Sequence, residues 1–145
     1  MYQNVLVPTD GGEGTAAVLD HAVEVAGDDR PTVHGLYVVD QQLVLATSKD
    51  NQETVRADLR EEGKRAVGEV ATAAADADLE SVTEVSEGVP HREILNYVEE
   101  ADIDLVVMGT HGRRGRDRIV SLGSVTERVV GSARVPVLTV WIGED

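Results

Sequence analysis

The fold is decided by the stretch Ile103-Asp104-Leu105-Val106-Val107-Met108-Gly109-Thr110-His111-Gly112-Arg113-Arg114-Gly115, in which an apolar segment runs into a glycine-rich loop. Further along, Leu122-Gly123-Ser124-Val125-Thr126 predicts a helix that starts at Ser124. Glycine lets backbone N–H groups approach a ligand closely, and a helix N-terminus offers unpaired donors at the positive end of its dipole. This order of strand, loop and helix start favours a phosphate-bearing ligand and suggests nucleotide binding.

Apolar runs and helical patterns alternate along the rest of the chain. Strands are predicted at residues 4–8, 32–39, 81–85, 103–108 and 136–142. Helices are predicted over residues 16–25, from about 52 to 77, around 94–98 and over 125–130. Residues 41–51 form the least regular part of the sequence, and we expect a mobile loop there.

This alternation predicts parallel strands joined by right-handed helical crossovers. The result is an α/β fold with a single doubly wound five-stranded sheet and helices on both faces. The first and fourth strands are the most apolar and belong in the centre, whereas the third carries Glu84 and belongs near an edge. The order 3-2-1-4-5 follows, with its switch point between strands 1 and 4. Thr9-Asp10-Gly11 and the loop after Met108 both fall at that point.

Length and composition limit the classes of function. The chain of 145 residues predicts one domain over residues 1–145. Its formal net charge of −14 argues against nucleic-acid binding, and it has no apolar run long enough to suggest a membrane partner. It has no cysteine, which excludes disulfides and thiolate metal sites and fits a cytoplasmic location best.

The charged residues are unevenly distributed. Abundant acids with scarce lysine are typical of a halophilic-type acidic surface, because concentrated salt screens the repulsion between carboxylates. Arg113, Arg114, Arg116 and Arg118 cluster within the glycine loop. A local anion explains such a cluster, although a solvated, salt-bridged loop is the alternative.

Five segments together resemble the universal stress protein family, and specifically its ATP-binding branch, with an adenine nucleotide alpha hydrolase-like fold. They are residues 5–10, 36–40, 106–112, 123–129 and 135–140, which cover nearly the whole chain. The nucleotide signature of that family is G-x2-G-x9-G-[ST]. Here ten residues, rather than nine, separate Gly112 from Gly123, so the spacing is G-x2-G-x10-G-S.

The resemblance implies a role for each matching residue. Asp10 contacts the ribose or approaches the phosphates through nucleotide-bound magnesium, and the Val38 backbone reads the adenine edge. The remaining implied contacts, in the loops and at the helix start, are Pro8, Thr9, Met108, Gly109, His111, Gly112, Gly123, Ser124 and Val125. The ligand implied is ATP or another adenine nucleotide, with or without magnesium. Independently, a serine cap at Ser124 would leave helix N–H donors pointing at a phosphate.

Plainer interpretations of the same residues remain open. Asp10 could cap the following helix, and the glycines could serve only as turn residues. His111 is more consistent with lining a site than with acting as a base, because no nucleophile or paired acid accompanies it.

The favoured function is a nucleotide-binding regulatory or stress-response module. No lysine follows the glycines as in a Walker A motif, so a slow ATPase is the second hypothesis. The third is a structural dimer that binds no nucleotide. The last strand, Val137-Leu138-Thr139-Val140-Trp141, is apolar although it should lie at a sheet edge. In the proteins that this chain resembles, that strand forms an antiparallel contact, which implies a homodimer.

Overall fold

The computed structural model describes residues 2–11, 14–110 and 124–141. Five strands alternate with helices along this part of the chain. The strands are β1 (Asn4–Pro8), β2 (Thr32–Asp40), β3 (Ser81–Gly88), β4 (Leu105–Thr110) and β5 (Val137–Trp141). The α-helices are α1 (Thr15–Ala26), α2 (Gln41–Leu45), α3 (Gln52–Asp76), α4 (Pro90–Glu100) and α5 (Ser124–Ser132). None of the helices in these ranges is both long and apolar enough to cross a membrane.

The sheet has the order β3-β2-β1-β4-β5, and all four strand pairs are parallel. The predicted fold class and strand order are therefore confirmed. β1 lies between β2 and β4, with Leu6 opposite His34 on one side and Val106 on the other. The chain moves outward from β1 in both directions, so the switch point lies between β1 and β4 as predicted.

Alternating side chains of the central strands fill two separate cores. Val7 and Val107 point to the face that α1 and α3 cover, where Val70 packs against them. Leu6 and Val106 point to the opposite face, where Ile94 of α4 and Val129 of α5 cover them. Because successive residues of a strand face opposite ways, a strand covered on both sides must be apolar throughout.

The observed bounds differ from the predicted ones by a few residues in several elements, as in β3, which runs to Gly88 rather than to residue 85. β4 starts at Leu105 rather than at residue 103, and just before it the Asp104 carboxylate accepts hydrogen bonds from the backbone N–H groups of Gln3 and Asn4. It also continues through Gly109 to Thr110.

Another difference concerns residues 41–51, where we expected an irregular loop. The chain there forms helix α2 and a 3₁₀ turn over Lys49–Asn51. The Asp40 carboxylate accepts a hydrogen bond from the Gln42 N–H at 3.0 Å, and buried Val44 holds the helix in place.

A polar network is buried between β2 and α4. His34 Nε2 lies 3.0 Å from Asn4 Oδ1, and His34 Nδ1 lies 2.7 Å from Tyr97 Oη. An amide oxygen only accepts, so Nε2 carries a proton, and in the neutral ring Nδ1 accepts from the Tyr97 hydroxyl. Burial lowers the pKa of His34. The neutral imidazole is therefore the form that this network stabilises.

We expect the His34 network to make stability depend on pH. Below about pH 6.5 the unfolded chain takes up a proton at this histidine that the folded chain does not, so unfolding becomes easier. The free energy of unfolding should fall by up to about 1.4 kcal/mol per pH unit, until the lowered folded-state pKa is reached. Urea titrations from pH 7.5 to 5 test this. His34→Gln should lack this component, whereas His21→Gln on the surface of α1 should retain it. Parallel curves for His34→Gln and the wild type would contradict the prediction.

Candidate functional site

A cleft of about 330 Å³ opens at the carboxyl ends of β1 and β2. Its walls come from both strand ends and from four helices. The lining residues are Pro8, Thr9, Asp10, Gly11, Leu36, Tyr37, Val38, Asp40, Leu43, Leu59, Glu62, Pro90, Ile94 and Val125. The cleft therefore lies at the sheet end where a doubly wound fold binds ligands.

Five of the residues implied by the family resemblance line this cleft: Pro8, Thr9, Asp10, Val38 and Val125. They come from three different elements, and the fold brings them together.

Three other implied residues lie outside the cleft lining. Met108 is fully buried in the core below it, among Leu6 and Val106. Gly109 is a buried residue of β4 opposite Val140, and its carbonyl accepts a hydrogen bond from Thr126 Oγ1 at 3.4 Å. Ser124 is exposed and is itself the first residue of α5, rather than a cap in front of it. The implied residues His111, Gly112 and Gly123, with the arginines of residues 113–118, lie outside the described residues.

The turn after β1 fixes the position of Asp10. The Thr9 N–H donates to the Leu36 carbonyl at 2.9 Å, and Thr9 Oγ1 accepts from the Gly11 N–H at 3.1 Å. Gly11 has a φ of +83°, a conformation that favours glycine. A side chain there would also meet the Glu62 carboxylate, since an added Cβ would lie 3.1 Å from Oε2. Helix α1 starts only at Thr15, so Asp10 belongs to the preceding loop.

The cleft is acidic around the ring of Tyr37. Burial, followed by the negative charges of Glu62, Asp10 and Asp40, raises the pKa of Tyr37 to about 12. The phenol therefore stays protonated at neutral pH and is a hydrogen-bond donor. The three carboxylates offer acceptor oxygens to ligand hydroxyl or amino groups and repel negative charge.

The α3 wall of the cleft was not predicted from the sequence. Leu59 and Glu62 belong to a long, charged helix that the sequence marks as mainly solvent-exposed. Leu59, Glu62 and Ala66 follow one another at intervals of three and four residues, which places all three side chains on one helix face. This spacing is the signal that could have identified the inward face of α3. In the structure Ala66, on that face, is buried against the sheet. Nothing in the sequence pattern indicates that this face meets Tyr37.

Apolar side chains form the remaining walls. Leu59 packs with Tyr37 and Val44 on one face of the sheet, whereas Ile94 and Val125 pack with Val38 on the other. The cleft thus spans the end of the sheet between two helical layers.

The fold places this chain in the class of doubly wound α/β proteins, with a cleft at the carboxyl end of the sheet. The family model described as "Universal stress protein family" matches residues 1–140. The chain belongs to that family.

Two relatives from Methanocaldococcus jannaschii support this assignment. Universal stress protein MJ0531 is 38% identical over 141 residues, which span 97% of this chain and 82% of the relative. The solved structure of MJ0577 has a TM-score of 0.84 and 28% identity, and the match covers 100% of this chain and 99% of that one.

More distant solved structures share the fold at identities of 17–22%. They include a universal stress protein in complex with cAMP, one from Archaeoglobus fulgidus with dAMP and one from Arabidopsis thaliana with AMP. Their TM-scores are 0.68, 0.67 and 0.66.

Two glycines of α3 should respond oppositely to the same substitution. An added Cβ at buried Gly63 would lie 2.6 Å from Tyr37 Cδ1, whereas one at Gly68 would have no heavy atom within 4 Å. Gly63→Ala should therefore destabilise the protein by about 1–3 kcal/mol and displace the Tyr37 wall of the cleft. Gly68→Ala should stabilise it by about 0.5–1 kcal/mol through helix propensity. Urea denaturation measures both changes. Equal stability of the two variants would show that α3 does not contact Tyr37 as closely as described.

Proposed function

We propose that this protein binds an adenine nucleotide, foremost ATP, in the cleft at the ends of β1 and β2, and acts as a regulatory module of the stress response. The observation that carries the proposal is the cleft itself, which brings Asp10, Val38 and Val125 to one place at the carboxyl ends of β1 and β2, beside the switch point. Its size falls in the range of small-molecule sites, roughly 300–1,000 Å³. Universal stress proteins solved with AMP, dAMP and cAMP support an adenine nucleotide as the ligand class.

We propose a place for each part of a nucleotide from the chemistry of the cleft walls. The apolar side chains Leu59, Ile94 and Val125 suit a flat heteroaromatic base. The Asp10 carboxylate suits ribose hydroxyls, because they donate hydrogen bonds to an acceptor of this kind. Carboxylates repel phosphates, so we place the phosphates toward the start of α5, where exposed Ser124 and the first helical N–H groups offer donors.

We propose that magnesium enters the site already bound to the nucleotide phosphates. Among the residues that the structure describes, no group of three or more histidine or acidic side chains is arranged to hold a metal ion. Asp10 nevertheless offers the hard oxygen ligand that Mg²⁺ prefers alongside phosphate oxygens. Asp10 is thus the residue we propose to contact a nucleotide-bound ion. This role of Asp10 is the alternative to its contact with the ribose, and the ion would offset the repulsion between the carboxylate and the phosphates.

Equilibrium binding of ATP, ADP and AMP with magnesium, alongside a turnover assay, tests this function. We expect the wild type to bind ATP without forming ADP. Gly112→Val and Gly123→Val should each weaken binding by at least about tenfold, because a side chain blocks the close approach of the backbone. Gly131→Val is the matched control on α5, since an added Cβ there meets no heavy atom within 4 Å. Product formation would instead assign a slow ATPase, and no binding of any nucleotide would leave a structural dimer.

We also propose that two copies of the chain associate through β5. β5 is the edge strand next to β4, and Trp141 at its end is 61% exposed. An unpaired edge with an exposed aromatic side chain is a template for pairing with a second chain. Partly buried Leu138 and Val137 would extend the apolar surface of that contact.

The association state should depend on Trp141. Sedimentation velocity should give a dimer for the wild type, and Trp141→Glu should raise the dimer dissociation constant by at least about tenfold, because it buries a charge in the contact. Val25→Glu, at a 45% exposed site on α1, is the matched control and should remain dimeric. A wild type that sediments only as a monomer would rule out this association.

A further inference from the structure

Leu43 has an unusual environment for a leucine next to a cleft. Its side chain lines the cleft, yet the residue remains 55% exposed. Leu45, two positions further along the same helix, is 64% exposed and does not line the cleft. An apolar side chain that faces both a ligand site and water gains free energy when an apolar ligand surface covers it.

Helix α2 holds Leu43 in a defined position even though it has only five residues. The Asp40 carboxylate accepts from the Gln42 N–H at the start of the helix, and buried Val44 packs among Tyr37 and Val39. At the end of the helix, Thr47 Oγ1 donates to the Leu43 carbonyl at 3.1 Å. The exposure of Leu43 is therefore a property of a hydrogen-bonded element with a buried anchor.

The two helical layers give the cleft two apolar sides. Leu59 belongs to the layer of α2 and α3, whereas Ile94 and Val125 belong to the layer of α4 and α5. Leu43 extends the first side outward, toward the cleft mouth. A flat ring that enters between these sides presents one face to Leu43 and Leu59 and the other to Ile94 and Val125. A purine base has the required shape and two apolar faces, whereas a ribose or a phosphate does not.

We propose that Leu43 is a positioning residue for the base, covering one face of the purine at the mouth of the cleft. This inference rests on the proposed function. Contact with a ring face adds affinity without selecting between base edges. Leu43 therefore acts on the part of the ligand that AMP, ADP and ATP share, and its contribution is independent of the number of phosphates.

Calorimetric titrations of AMP, ADP and ATP against three variants test the proposal. Leu43→Ala should raise the dissociation constant of all three nucleotides by a similar factor of about five, the loss expected when roughly 40 Å² of apolar contact is removed. Leu45→Ala is the matched control on the same helix and should stay within about twofold of the wild type. Leu43→Met keeps an apolar side chain of similar volume and should retain wild-type affinity.

The outcomes separate this inference from the function on which it rests. If the wild type binds adenine nucleotides and Leu43→Ala binds them equally well, only the role of Leu43 is overturned. The same holds if the effect grows with the number of phosphates, or if Leu45→Ala weakens binding as much as Leu43→Ala. If the wild type binds no adenine nucleotide, the proposed function itself fails. A thermal melt of each variant verifies that the fold is unchanged, which is expected because Leu43 is more than half exposed.

Discussion

Burial of β1 from Val5 to Pro8 is the constraint on which the rest of this structure depends. Its main chain pairs with β2 on one side and β4 on the other, and Val5, Leu6 and Val7 are 0%, 0% and 2% exposed. A polar side chain within this strand would lose its water without gaining a partner. Polar side chains therefore appear only at its two ends: Asn4, which bonds His34, at the start, and Thr9 and Asp10 just after Pro8. The position of the cleft follows from the position of the most buried strand.

Helix α3 supplies one wall of that cleft. It lies close to β2 because Gly35 admits the side chain of Val70 and because Gly63 admits the ring of Tyr37. The ion pair between Arg56 and Glu87, at 3.0 Å, also joins α3 to β3, but partly exposed pairs of this kind contribute at most about 1 kcal/mol. Apolar packing is thus the dominant contribution to this contact. It brings Leu59 and Glu62 to the cleft.

The sequence predicted the sheet well because its signal is local. An apolar run such as residues 4–8 identifies a doubly buried strand without knowledge of its neighbours, and the 3.6-residue period placed α3 correctly to within one residue at its C-terminus. Helix α2 was missed because five residues carry no measurable period. Its stability comes from a cap at Asp40 and a tertiary contact at Val44.

The candidate site also has one part that the sequence predicts and another part that only the structure reveals. Strand ends were predictable from topology, and the family resemblance implied Asp10, Val38 and Val125. Tyr37, Glu62 and Leu43 come together only through packing between elements distant in sequence, which no local pattern records. His111, Gly112 and Gly123 lie outside the described residues, and their roles stay predictions.

Electrostatic repulsion favours one orientation of the proposed ligand in the cleft. Burial, followed by the negative charges of Glu62, Asp10 and Asp40, raises the pKa of Tyr37, and the same carboxylates would repel a phosphate placed beside it. The chain as a whole carries a formal charge of −14, which repels an approaching polyphosphate from most directions. Four of its 13 basic residues fall between residues 113 and 118, in the sequence that leads to Ser124. A nucleotide would therefore orient with its base toward the apolar walls and its phosphates toward the start of α5. In the proposed complex the carboxylates select orientation by repulsion, and the start of α5 supplies the attraction.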